Sequence, residues 1–161
     1  GTVVRETIGA YTEARRTGWQ VPMLVTASGY TAQVPQLGGA TMDGLYAVAL
    51  VPQPEPDGAN RALADWIVRY REKFKTEPNT WDVYTWVGAD LFVRALHAAG
   101  PQPTPQKVSA ALEQLRTTRD FFGSQPIVLS PSNHLALQQV RVAQIRNGRW
   151  ENVTDYLPIA R

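Results

Sequence analysis

Side chains that could carry covalent or acid–base chemistry are sparse in this sequence. Its two imidazoles, His97 and His134, lie far apart and share no HxxxH spacing. A metal centre therefore has little support. The chain has no cysteine, which removes a thiol nucleophile and a disulfide framework. Ser28 sits in "TASGY", which lacks the GxSxG pattern that would expose a serine nucleophile at a strand–helix elbow. "GGAT", at Gly38 to Thr41, has neither a phosphate-loop lysine nor a GxGxxG pattern, so no nucleotide and no other cofactor is expected. His97 falls near the end of a helical pattern, where partial imidazolium charge suits the helix dipole, and His134 falls in a predicted turn. Catalysis is not expected.

Binding chemistry is better represented. "TWDVYTW", Thr80 to Trp86, concentrates aromatic rings at a predicted helix N-terminus. Two readings stand: the rings pack a core, or they line a cleft that holds a small ligand. Gly1 to Val4 and Ala27 to Tyr30 occupy predicted junctions between strand ends and helices, where open α/β sheets bind ligands.

These stretches must be positioned by ordinary α/β elements. Val4, Ile8, Tyr11 and Ala14 mark one helix face, which Gly18 ends. Val21 to Ala27 and Gly44 to Val51 read as apolar strands, and their continuous apolarity suits parallel strands covered on both faces. "PQPEPDG", Pro52 to Gly58, is the sharpest composition shift and reads as a crossing segment. Leu63, Trp66, Ile67, Tyr70 and Phe74 then form an amphipathic helix face. Asn79 or Thr80 caps a second helix, whose apolar stripe runs through Tyr84, Val87, Leu91, Ala95 and Leu96 to a stop at Gly100. Thr104 and Pro105 start a third, with Val108, Ala111, Leu112 and Leu115 as its stripe. "PIVLS" reads as a strand, and the final segment as a β-hairpin around Asn147-Gly148.

The 161 residues, 43% of them hydrophobic, suffice for one ordinary core. No apolar run approaches membrane-spanning length. Net charge is +2, and the "RYREKFK" cluster contains Glu72 and reads as a solvated helix face, so nucleic acid is not an expected partner. The pattern is odd in one respect. A helix comes first with no strand to feed it, and the few strands are split by the proline-rich crossing, which suggests part of something larger.

In element order, crossing and closing turn, the chain resembles the C-terminal half of type I periplasmic solute-binding proteins of the branched-chain amino acid ABC transporter kind. "GTVVRETIGAYTEARRTGWQVPMLVTASGY" resembles a second-lobe helix and its next strand. The stretch from "GLYAVALVPQPEPDG" to "TWVGADLFVRALHAAG" resembles the crossing to the first lobe and its two long helices. "PQKVSAALEQL" resembles the helix that follows, and "FFGSQPIVLSPSNHLALQQVRVAQIRNGRWENV" the closing β segment. The resemblance implies an α/β fold of Rossmann-like lobes, parallel sheets flanked by helices, present as a partial two-lobe fragment. Residues 1–51 would be part of lobe two, 52–58 a hinge crossing, 59–137 part of lobe one, and 138–161 a closing hairpin and tail.

The same resemblance implies an exported protein that captures a small amino acid or carboxylate by lobe closure and delivers it to a membrane permease. Thr2, Val3, Val4, Ser28, Gly29, Tyr30, Trp81 and Tyr84 are the ligand-binding candidates it carries over. Amino acid binders of the family place an acidic residue in the loop after the strand, yet this sequence has no Asp or Glu between Glu13 and Asp43. A buried ammonium without a partner would cost on the order of 3–5 kcal/mol. An amine-free solute is therefore expected. The resemblance also implies a missing N-terminal half that supplies most of both sheets, so the chain should be completed by that half or by another copy of itself. A ligand sensor of the same fold and a small self-contained α/β enzyme are the competing expectations.

Overall fold

The computed structural model describes residues 3–56 and 59–159. It divides into two compact units, one formed by residues 1–53 with 139–161 and the other by residues 54–138.

The first unit is a small sheet with helices on one face. Helix α1, Val4–Arg16, buries Thr7, Tyr11 and Ala14, carries Glu6 in its first turn, and has Arg15 and Arg16 in its last. Each charge suits the helix end it occupies. Gly18, at φ 81°, takes the left-handed conformation that turns the chain away. Strand β1, Leu24–Val25, pairs parallel with β2, Tyr46–Ala49. Between them lie a 3₁₀ turn at Ala27–Gly29, helix α2 at Gln33–Gly38 and a second 3₁₀ turn at Gly39–Met42. Strand β3, Gln139–Arg146, runs antiparallel to β2 and forms a hairpin with β4, Arg149–Asn152. Asn147 and Gly148 both have positive φ, as a two-residue type I′ connection requires. A short β5, Leu157–Pro158, pairs with the start of β3.

Tyr11, Tyr30, Val34, Met42, Leu45, Ala47, Ala49, Ala143, Ile145 and Trp150 form its core, with Val4 and Ile8 packed against it. The strands are less enclosed than their apolarity suggests. Leu24 is 59% exposed, and β2 alternates between buried and half-buried positions. The physical reason is placement: β1 has a single neighbour among the described residues, and β2 has a parallel neighbour on one side only.

The second unit is helical. Helix α3, Arg61–Phe74, starts at Asn60, whose side chain accepts a hydrogen bond from the Leu63 amide. Arg71 closes its exposed end with a bidentate ion pair to Glu77. Helix α4, Thr80–Ala99, opens with a capping box: Asn79 takes amide hydrogen bonds and the Asp82 carboxylate takes the Asn79 amide. Such a cap contributes about 1 kcal/mol. Gly100, at φ 84°, ends the helix. Thr104 caps helix α5, Pro105–Gln114, with proline in its first turn.

Three expectations change here. The buried face of α4 carries Thr80, Val83, Leu91 and Ala95, leaving Tyr84 outside it. Helix α5 buries no residue fully; its stripe is only partly covered. "PIVLS" forms isolated bridges, Arg116 with Val128 and Ser130 with Asn133, instead of a strand. A strand needs a neighbouring ladder, and this segment has only those single pairings. Ile127 and Leu129 nevertheless point inward and pack with Leu91.

Candidate ligand-binding site

Each unit carries its own set of candidates. In the first unit, Val3 is extended, 57% exposed and directly before α1, and its carbonyl accepts the Thr7 amide at 2.9 Å. Val4 is half-buried against the core. The 3₁₀ turn that follows β1 presents Ser28 and Gly29, with the Ser28 and Thr26 hydroxyls 2.8 Å apart. Gly29 is where the elements close on one another. A Cβ there would sit 2.8 Å from Val25 Cγ2 and 3.2 Å from Thr7 Oγ1. Only a residue without a side chain lets the turn approach both β1 and the first turn of α1 this closely.

Tyr30 is 3% exposed, and its ring meets Trp150 edge-on at 5.3 Å. The Trp150 indole donates to the Thr31 carbonyl at 2.8 Å, so the segment after Gly29 is held from beneath. Thr2 lies outside the described residues. Val3, Val4, Ser28 and Gly29 thus gather where α1 begins and β1 ends, while the Tyr30 ring turns into the core.

Thr7 escaped the sequence reading. It is a buried hydroxyl-bearing residue on the apolar face of α1, beside Gly29. A polar residue within an apolar stripe was the signal available.

Asp43 is occupied at the hairpin, where its carboxylate accepts the Gly148 amide at 3.1 Å. Glu13 pairs with Arg16 at 2.6 Å, and that guanidinium holds its carboxyl below the ordinary carboxylate range. The acid in the first turn of α1 is Glu6, which is exposed.

In the second unit, Trp81 and Tyr84 stand at the N-terminus of α4. They are 48% and 45% exposed, with ring centroids 6.3 Å apart. The Asn79 side chain accepts the Trp81 amide at 2.8 Å, and Thr85 donates to the Trp81 carbonyl at 2.9 Å. The backbone that carries the rings is therefore fixed. Trp86, half-buried, packs edge-on against Phe121 and Phe122, and the fully buried apolar residue of this stretch is Val83. At the first position of α4, the Thr80 hydroxyl is buried and has no hydrogen-bond partner among the described residues.

Neither histidine belongs to a metal-binding group. Among the described residues no cluster of three potential ligands occurs. His134 contacts Glu113 at 2.9 Å, and His97 is exposed near the end of α4. No described helix is long and apolar enough to cross a membrane.

The fold has known counterparts. No curated protein sequence matches the chain. Among solved structures, it is similar to a leucine-binding protein from Thermotoga maritima, with 19% identity and a TM-score of 0.72 over 94% of this chain and 42% of that one. It is similar to a branched-chain amino acid ABC transporter protein from Thermus thermophilus with bound valine, at 16% identity and TM-score 0.78, covering 99% of this chain and 45% of that one. A solute-binding protein of an ABC transporter from R. palustris, in complex with benzoate, gives 17% identity and TM-score 0.69 over 94% and 41% of the two chains. The chain spans less than half the length of each of these proteins. The periplasmic binding protein family model matches residues 1–149. The fold of these relatives, a mixed sheet flanked by helices, is the fold described above, and the chain belongs to the periplasmic binding protein family.

Proposed function

We propose that this chain is the C-terminal part of an extracytoplasmic solute receptor that serves an ABC importer permease. It holds its solute by reversible binding and lobe closure, with no chemical step. Val3, Val4, Ser28 and Gly29 contribute one set of contacts, with Thr2 before them and Tyr30 supporting the turn from within. Trp81 and Tyr84 contribute the other. The remaining contacts and the neighbouring strands come from an N-terminal half, or from another copy of the chain. The exposed edge at Leu24 and Val25 supports such completion.

The observation that carries this reading is the Trp81–Tyr84 pair. Two large rings stand half exposed on a capped helix start while the neighbouring Val83 is fully buried. Exposed aromatics on a rigid backbone are what an apolar solute needs, since they bury area with little loss of side-chain freedom.

The solute class follows from the turn beside Gly29. No carboxylate lies between Glu13 and Asp43, and both of those are already bonded. An α-ammonium placed there would lose its hydration without gaining a counter-charge. Valine and benzoate, held by two of the structural relatives, share a carboxylate and differ in the amine. We expect this protein to prefer the amine-free kind, an aromatic or aliphatic carboxylate.

Isothermal titration of the completed protein with leucine and with its deaminated analogue tests this directly. The deaminated acid should bind at least tenfold tighter, a difference of about 1.4 kcal/mol. Tighter leucine binding would overturn the preference. If Glu6→Gln then abolished it, Glu6 would be the counter-charge.

A further inference from the structure

We propose that a groove between α3 and α4 is a second binding site, specific for planar aromatic carboxylates. It is a different surface from the one discussed above. Successive helical residues are about 100° apart, so Asp82, Thr85 and Trp86 face the groove while Trp81 and Tyr84 lie on other faces of α4.

The groove has a volume of about 460 Å³, within the roughly 300–1,000 Å³ of small-molecule sites. Its walls are rings: Trp66, Tyr70 and Phe74 from α3, and Trp86 from α4. Trp66 and Trp86 both meet Phe122 edge-on, at 4.9 and 5.4 Å, which fixes their positions. Tyr70 stacks obliquely between Trp66 and Phe74, at 5.3 and 4.6 Å. Ala89, small and on the same face, leaves the space open.

The charges select the sign of the ligand. Arg69 and Lys73 line the groove, and Asp82 is its one acidic residue. Asp82 is already engaged by the Asn79 amide at 2.8 Å. Lys73 has its ammonium 5.3 Å from the Phe74 ring. Arg69 has no ion-pair or hydrogen-bond partner among the described residues, whereas Arg71 on the same helix is fully paired with Glu77. An unpaired guanidinium lining an aromatic slot fits a carboxylate attached to a ring, since the fork takes the carboxylate and the slot takes the ring. Nine residues line the groove, far fewer than the 20–30 or so that a stable protein partner covers. A small molecule is the occupant it suits.

Titration of the chain with naphthoate, followed by amide chemical shifts, is the test. Shifts should centre on Trp66 and Trp86. The double variant Arg69→Gln/Lys73→Gln, whose charges are exposed, should keep its melting temperature and bind about tenfold or more weakly. The uncharged methyl ester should lose a comparable factor there, while Trp81→Ala and Tyr84→Ala, which act on the proposed solute site, should leave the shifts at Trp66 and Trp86 unchanged. The last arm separates this site from the proposed solute site, so either can fail alone. Absence of shifts at Trp66 and Trp86, an ester that shifts them as well as the acid does, indifference to the double variant, or dependence of those shifts on Trp81 would each overturn the proposal.

Discussion

Replacing Trp150 by alanine is expected to destabilise the first unit by about 3–5 kcal/mol. Trp150 is buried on β4, opposite Ile145 across the hairpin. Alanine would leave a cavity beside Tyr30, remove an edge-on aromatic contact and strip the donor from the Thr31 carbonyl. An abandoned buried acceptor alone costs about 1–3 kcal/mol. Trp150→Phe keeps much of the packing and loses the indole donor, so its cost should fall near that smaller range. Because the chain has two units, a single melting temperature is a poor readout. Amide exchange of β3 and β4, compared with exchange of α4, separates them. The alanine variant should accelerate exchange in the strands by roughly a hundredfold or more and leave α4 unchanged. A loss under 1 kcal/mol would mean the Trp150–Thr31 contact does not hold the turn.

That contact also marks where sequence reading stops. Local punctuation was legible: the Asn79 cap, the Gly100 stop, the Thr104-Pro105 start and the Asn147-Gly148 turn each depend on a few adjacent residues. The link between Trp150 and Thr31 spans 119 positions and leaves no trace in spacing. Strand environment was misread for a related reason. Apolar composition at Leu45 to Val51 reports burial, but a parallel partner on one side and an antiparallel one on the other is a property of topology. In "TWDVYTW" composition alone could not say which ring packs against the phenylalanines. The fold separates them by angle, with Trp86 packed against Phe121 and Phe122, and Trp81 and Tyr84 left half exposed.

Alanine at both Trp81 and Tyr84 should weaken solute binding by about thirtyfold or more, equivalent to about 2 kcal/mol. Stability should move by no more than about 1 kcal/mol. Both rings are nearly half exposed, so little apolar area is returned to water when they are removed. The helix start does not depend on them, since Asn79 and Asp82 supply the capping bonds. Tyr84→Phe distinguishes ring contact from hydroxyl contact and should retain most of the affinity if area is what counts. Titration and denaturation of the same preparations measure both quantities. Variants that unfold the second unit while leaving affinity intact would return the pair to a packing role.

Reversible capture without turnover is tested most directly by equilibrium dialysis of the completed protein against an aromatic or aliphatic carboxylate, with the solute recovered and identified by mass spectrometry. The account predicts saturable retention of about one solute per completed protein, released unchanged on dilution. Time-dependent loss of the solute, or appearance of a product in proportion to protein concentration, would contradict it.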